Sequence, residues 1–172
     1  MTDPDARGVY AAEQVLRATL DLMEQVEDRT YDFHGYHMQV PDERKFADLD
    51  SIQRYYEMVV QLPSVKARWP KATAPRVRAR KSGAFAHYCP IKHEVAICIK
   101  KGERFAMREI VVLHELAHSL ERDGHGPEFR GAFVFLVELC IGQEMAMLLG
   151  SYFHEQLGVG HKVPKVRGLQ NY

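Results

Sequence analysis

The sequence predicts an α+β protein: a small antiparallel or mixed sheet of about three strands packed on one central helix, with additional N- and C-terminal helices. Three observations point there. Apolar residues recur at helical spacing near both ends of the chain. Between them lies a stretch that alternates with a period of two. Directly after it comes Val111-Val112-Leu113-His114-Glu115-Leu116-Ala117-His118, an apolar helical run carrying a His-Glu-x-x-His motif.

Taken in order, Asp3 is expected to cap a first helix with Pro4 at its first position. Val9, Ala12, Leu16, Leu20 and Met23 form its apolar stripe, to about Val26. The aromatics between Arg29 and Val40, with Gly35 among them, suggest a turn and a short strand. His34 and His37 fall there, and on an extended chain they point to opposite faces, so they read as surface residues. A polar loop leads to Ser51, read as the cap of a helix from Ile52 to Leu62. Pro63 and Pro70 then bracket the lone tryptophan, Trp69.

From Lys66 to Lys81 there are seven basic side chains and no acidic one: Lys66, Arg68, Lys71, Arg76, Arg78, Arg80 and Lys81. Such a strip can contact nucleic-acid phosphates. Equally, the alternation Arg76-Val77-Arg78-Ala79-Arg80 fits an edge strand whose charges discourage aggregation. Ser82-Gly83 signals a turn, Ala84 to Cys89 a second strand, and Glu94 to Lys100 a third, closed by Lys101-Gly102. In the third, Val95, Ile97 and Ile99 should share one face, Ala96 and Cys98 the other. Cys98 reads as a small core residue.

The motif helix is expected to start near Glu103-Arg104. Arg108 and Glu109 are placed toward solvent, Ile110, Leu113 and Ala117 toward the core. Residues four apart on a helix stand about 40° apart in azimuth and about 6 Å apart along the axis. His114 and His118 can therefore converge on one cation. Glu115 projects beside them, where a carboxylate can act as general base on a metal-activated water. A catalytic zinc site usually has three protein ligands. The third is His125: Asp123-Gly124 ends the helix, Gly124 reverses the chain in the left-handed region, and His125 follows at once. Pro127 and Glu128 suit the first turn of the next helix, with Phe129 anchoring the His125 turn. Glu121, Asp123 and Glu128 are candidate carboxylates for orienting the imidazoles. Glu128 to Leu139 then forms an apolar helix, Gly142 allows a break, and Gln143 to Leu157 reads as the last helix.

His114-Glu115-Leu116-Ala117-His118 followed by Arg122-Asp123-Gly124-His125-Gly126-Pro127-Glu128-Phe129 resembles the active-site helix and HGxxF segment of SprT-like zinc metalloproteases. The likeness covers roughly Gly83 to Phe129. The chain also resembles small actinobacterial proteins described as HExxH metallohydrolases, there nearly end to end. The metzincin pattern differs, with its third histidine one residue nearer. The resemblance implies a zincin-like fold, a Zn²⁺ ion, peptide-bond hydrolysis, and a peptide or protein substrate bound as an added strand along a sheet edge. This chain has no Cys-x-x-Cys pair, so the zinc ribbon of many SprT-like members, and with it their DNA-linked substrate, does not carry over. Metal-dependent nucleases of the YbeY type also use three histidines, but without a glutamate directly after the first. A non-catalytic, zinc-braced nucleic-acid or protein-binding module would need a fourth ligand, and none is evident.

Bulk properties frame these readings. At 172 residues the chain suits a single domain over 1–160 with a basic C-terminal tail, 161–172. A formal net charge of zero gives no whole-molecule attraction to nucleic acid. Three widely spaced cysteines suggest no disulfide framework and fit a reduced, cytoplasmic setting. The acidic N-terminal residues do not read as a signal peptide, and no apolar run reaches membrane-spanning length.

Overall fold

The computed structural model describes residues 3–25, 30–33, 35–80, 86–99 and 105–158. Among them are helices α1 (Ala6–Met23), α2 (Leu49–Gln61), α3 (Pro63–Arg68), α4 (Glu109–Leu120), α5 (Pro127–Cys140) and α6 (Gln143–Leu157). The strands are β1 (Thr30–Phe33), β2 (Tyr36–Gln39), β3 (Arg76–Arg80), β4 (His87–Cys89) and β5 (Glu94–Cys98). The class is α+β, as expected. The expectations for His34, Lys81, Ser82-Gly83, Lys101-Gly102, Glu103-Arg104 and the 161–172 tail lie outside the described residues. No described helix is long and apolar enough to cross a membrane.

These elements form two compact units. One holds α1, β1, β2, α5 and α6, with α6 packed on both α1 and α5. The expected stripe of α1 (Val9, Ala12, Leu16, Leu20, Met23) is buried. Tyr152 of α6 is buried, and its hydroxyl lies 3.1 Å from Thr19 Oγ1 and 3.4 Å from Tyr31 Oη. A Cβ on Gly8 would come 2.2 Å from Leu157 Cδ2, so the glycine allows the close approach of these helices. β1 and β2 pair antiparallel, two strands where one was expected, with Gly35 at φ +85 between them; His37 on β2 is exposed. The last helix has the expected bounds, closed by Gly158 at φ +65.

The other unit holds α2, α3, the three-stranded sheet and α4. Its strand order is β3-β5-β4, with β3 parallel and β4 antiparallel to β5. All five residues of the central strand β5 are buried, Cys98 among them as expected; Ile99, expected beside Val95 and Ile97, lies beyond the strand and is exposed. Both faces of β5 are therefore covered, and its alternation carries no burial signal. The α2 helix begins earlier than expected, at Leu49. Its cap is Asp48, whose side chain accepts the Ser51 N–H at 2.7 Å, while Ser51 Oγ accepts the Asp48 N–H at 3.3 Å. Ser51 is thus the third helical residue of a reciprocal box, not the cap.

Candidate metal centre

The helix that carries the motif is held from its first turn. A 3₁₀ turn, Phe105–Met107, leads into α4, whose residues Glu109 to Ala117 are all buried. Arg108 and Glu109, expected to reach solvent, are only 7 % and 1 % exposed. Each is buried because it is paired. The Glu109 carboxylate accepts the Arg44 N–H at 2.7 Å, the Arg44 guanidinium at 2.6 Å and the Tyr55 hydroxyl at 2.5 Å. The Arg108 guanidinium pairs with Glu43, whose second oxygen accepts the Ile110 N–H at 3.2 Å. A carboxylate there satisfies a free donor at the helix N-terminus. Burial nevertheless pushes the Glu43 carboxyl above its ordinary range, outweighing the pull of Arg108. Midway along, the fully buried Tyr56 donates its hydroxyl to the Val112 carbonyl at 2.8 Å. Burial, and next the charge of Glu115, hold that phenol well above the usual range, so it stays a neutral donor.

On this helix His114 is buried, His118 half-buried and Glu115 buried at 5 % exposure. His114 Nε2 and His118 Nε2 stand 3.1 Å apart, their rings at 72°. Two imidazole nitrogens about 2.0–2.1 Å from one tetrahedral zinc are roughly 3.4 Å from each other. The pair is therefore spaced as two ligands of a shared ion.

Helix α4 ends two residues sooner than expected, with Glu121 extended at its C-cap. The chain then reverses at Gly124, φ +67, as the motif required. His125 follows and is buried; Pro127 and Glu128 occupy the first turn of α5. Phe129 meets the His125 ring edge-on at 5.0 Å and Tyr10 meets it at 5.0 Å. One ligand atom each from His114, His118 and His125 all lie within 4.8 Å of one another. Three imidazoles are a donor set that suits zinc.

Two of the three carboxylates proposed to orient these rings do other work. Asp123 accepts the N–H groups of Glu128 and Phe129, both at 2.9 Å, and so caps α5. Glu121 accepts the Trp69 indole N–H at 2.7 Å. The His125 ring is held by a different carboxylate. Asp3 Oδ2 accepts both the His125 N–H at 2.9 Å and His125 Nδ1–H at 2.6 Å. Asp3 is thus not the cap of α1; that position is Asp5. Asp5 in turn accepts Arg130 Nη1 at 2.7 Å, and the same nitrogen donates to the His125 carbonyl at 2.8 Å. Asp3, Asp5 and Arg130 escaped sequence reasoning: residues so distant in the chain carry no spacing signal that links them.

The basic strip is partly consumed by the fold. Arg78 pairs with Glu94 at 2.7 Å, Lys66 Nζ donates to the Ala72 carbonyl at 2.7 Å, and Arg68 Nη1 donates to the Ser64 carbonyl at 3.0 Å. Arg76, Arg78 and Arg80 lie on β3, an edge of the sheet.

No protein-family model, no curated protein and no solved structure matches this chain.

Proposed function

We propose that the protein is a zinc-dependent hydrolase of the zincin type, most directly a metallopeptidase, working in a reduced, cytoplasmic setting. The observation that carries this reading is the approach of His114, His118 and His125 to within one ion's reach, with a buried carboxylate, Glu115, directly beside the first. His114, His118 and His125 would hold the metal, with Nε2 of His125 left for it because Nδ1 is engaged by Asp3. Bound zinc supplies Lewis-acid polarisation of the scissile carbonyl and acidification of the attacking water. Glu115 takes the proton released as that water adds and returns it to the leaving amine nitrogen. Strand β4 is an edge of the sheet and lies against α4. A substrate peptide added along it would gain main-chain hydrogen bonds and be laid beside the histidine helix.

Glu115→Gln is the test. It keeps the ligands and removes the base, so zinc content should stay at about one per chain while peptide cleavage is abolished. Unchanged cleavage would remove the mechanism. Cleavage of RNA without cleavage of peptide would assign the site to a nuclease, and neither activity with a fourth protein ligand on the metal would make it structural.

A further inference from the structure

Where α4 ends, a cavity of about 200 Å³ opens between the Trp69–Ala72 turn and the last residues of the helix. Trp69, Lys71, Ala72, Ser119, Leu120 and Arg122 line it. Pockets that enclose independent small molecules begin at about 300 Å³. This one is of a size for a single side chain.

We infer that this cavity receives the carboxylate side chain of a glutamate or aspartate in a peptide substrate, between Lys71 and Arg122 and against the Trp69 ring. The inference rests on the peptidase reading and adds its sequence preference. No acidic residue lines the cavity, and no ion pair among the described residues engages Lys71 or Arg122. Glu121, the neighbour of Arg122 in the chain, is turned to the Trp69 indole instead. The walls are preformed. Ala72 N–H donates to the Trp69 carbonyl at 2.9 Å, and Lys66 fixes the Ala72 carbonyl. Ser119 Oγ donates its proton to the Leu116 carbonyl at 2.7 Å, so an anion here must be held by the two cations.

Its position suits a peptide. Ser119 and Leu120 follow His118 directly. Strand β4 packs against α4, whose last residues line the cavity. A chain laid along β4 would therefore run beside that helix. A nucleic-acid backbone repeats its charge and needs a row of free cations. Lys66, Arg68 and Arg78 of the basic strip are instead turned onto protein acceptors.

Trp69 is the one tryptophan of the chain, so its emission reports this cavity alone. The purified full chain would be titrated with N-acetyl-glutamyl amide, N-acetyl-glutaminyl amide, N-acetyl-lysyl amide and a short oligothymidylate. A saturable shift for the glutamyl compound only is expected, weakened about tenfold by Arg122→Gln and again by Lys71→Gln. Both side chains are exposed, so these variants leave the core intact. The double reversal Lys71→Glu with Arg122→Glu should transfer the response to the lysyl compound. An equal response to the glutaminyl compound, a response to the oligonucleotide alone, or none would overturn the inference. The signal needs no turnover. A glutamyl response in a protein that cleaves no peptide would defeat the peptidase reading and leave the pocket, whereas peptide cleavage without the response would do the reverse.

Discussion

Asp3 grips His125 twice, accepting its ring Nδ1–H at 2.6 Å and its backbone N–H at 2.9 Å through the same carboxylate oxygen. The first bond fixes the tautomer and leaves Nε2 for a metal; the second fixes the loop that carries the ring. A carboxylate in this role typically governs metal affinity by about 10- to 100-fold. Asp3→Asn should lose zinc affinity by about that factor, measured by competition with a chromophoric chelator, with the far-ultraviolet circular dichroism unchanged. Equal affinity in the variant would show that the ring needs no such support.

Gly124 is required on two counts. Its φ of +67 costs a side-chain-bearing residue about 1–2 kcal/mol. A Cβ there would also lie 2.6 Å from Asp3 Oδ2, the atom that holds His125. Gly35 offers the control, since it has φ +85 but no atom within 4 Å of its ideal Cβ. Both Gly→Ala variants should lower the melting temperature, and only Gly124→Ala should also weaken zinc binding.

Arg130 is 3 % exposed and ties Asp5 to the His125 carbonyl through one nitrogen. Arg130→Met removes both bonds and should cost about 1–3 kcal/mol in chemical denaturation. Arg130→Lys keeps the charge but not the position of that nitrogen, so it should recover only part of the loss.

Much of this was legible beforehand, for identifiable reasons. The apolar stripe of α1, the start of α5 at Pro127, the bounds of α6 and the reversal at Gly124 all rest on local rules of periodicity and backbone freedom. Arg108 and Glu109 were misplaced because charge alone reads as solvent; their partners, Glu43 and Arg44, come from a distant loop. On β5 only Ile99 differs from its expected place: the strand stops at Cys98, and the apolar period alone does not mark that end. The three histidines are close in the chain and could be grouped by helix geometry. Asp3 stands 122 positions from His125, and nothing local distinguishes it from an ordinary helix cap.

The capping box of α2 predicts an acid-sensitive term. The backbone N–H of Ser51, and next its side chain, hold the Asp48 carboxyl below its ordinary value. A depressed carboxylate contributes stability above its unfolded pKa and loses it as the pH falls through the folded one. Asp48→Ala should therefore melt lower than the unmodified chain at neutral pH, and the gap should close on acidification below about pH 4. A gap that persists in acid would assign the effect to packing instead.

The central claim is that three imidazoles share one ion, and an anomalous-scattering map at the zinc edge tests it most directly. Crystals grown with zinc should give one dominant peak about 2.0–2.1 Å from a nitrogen of each of His114, His118 and His125, with no fourth protein ligand. A peak bound by only His114 and His118, or none between the three rings, would contradict the account.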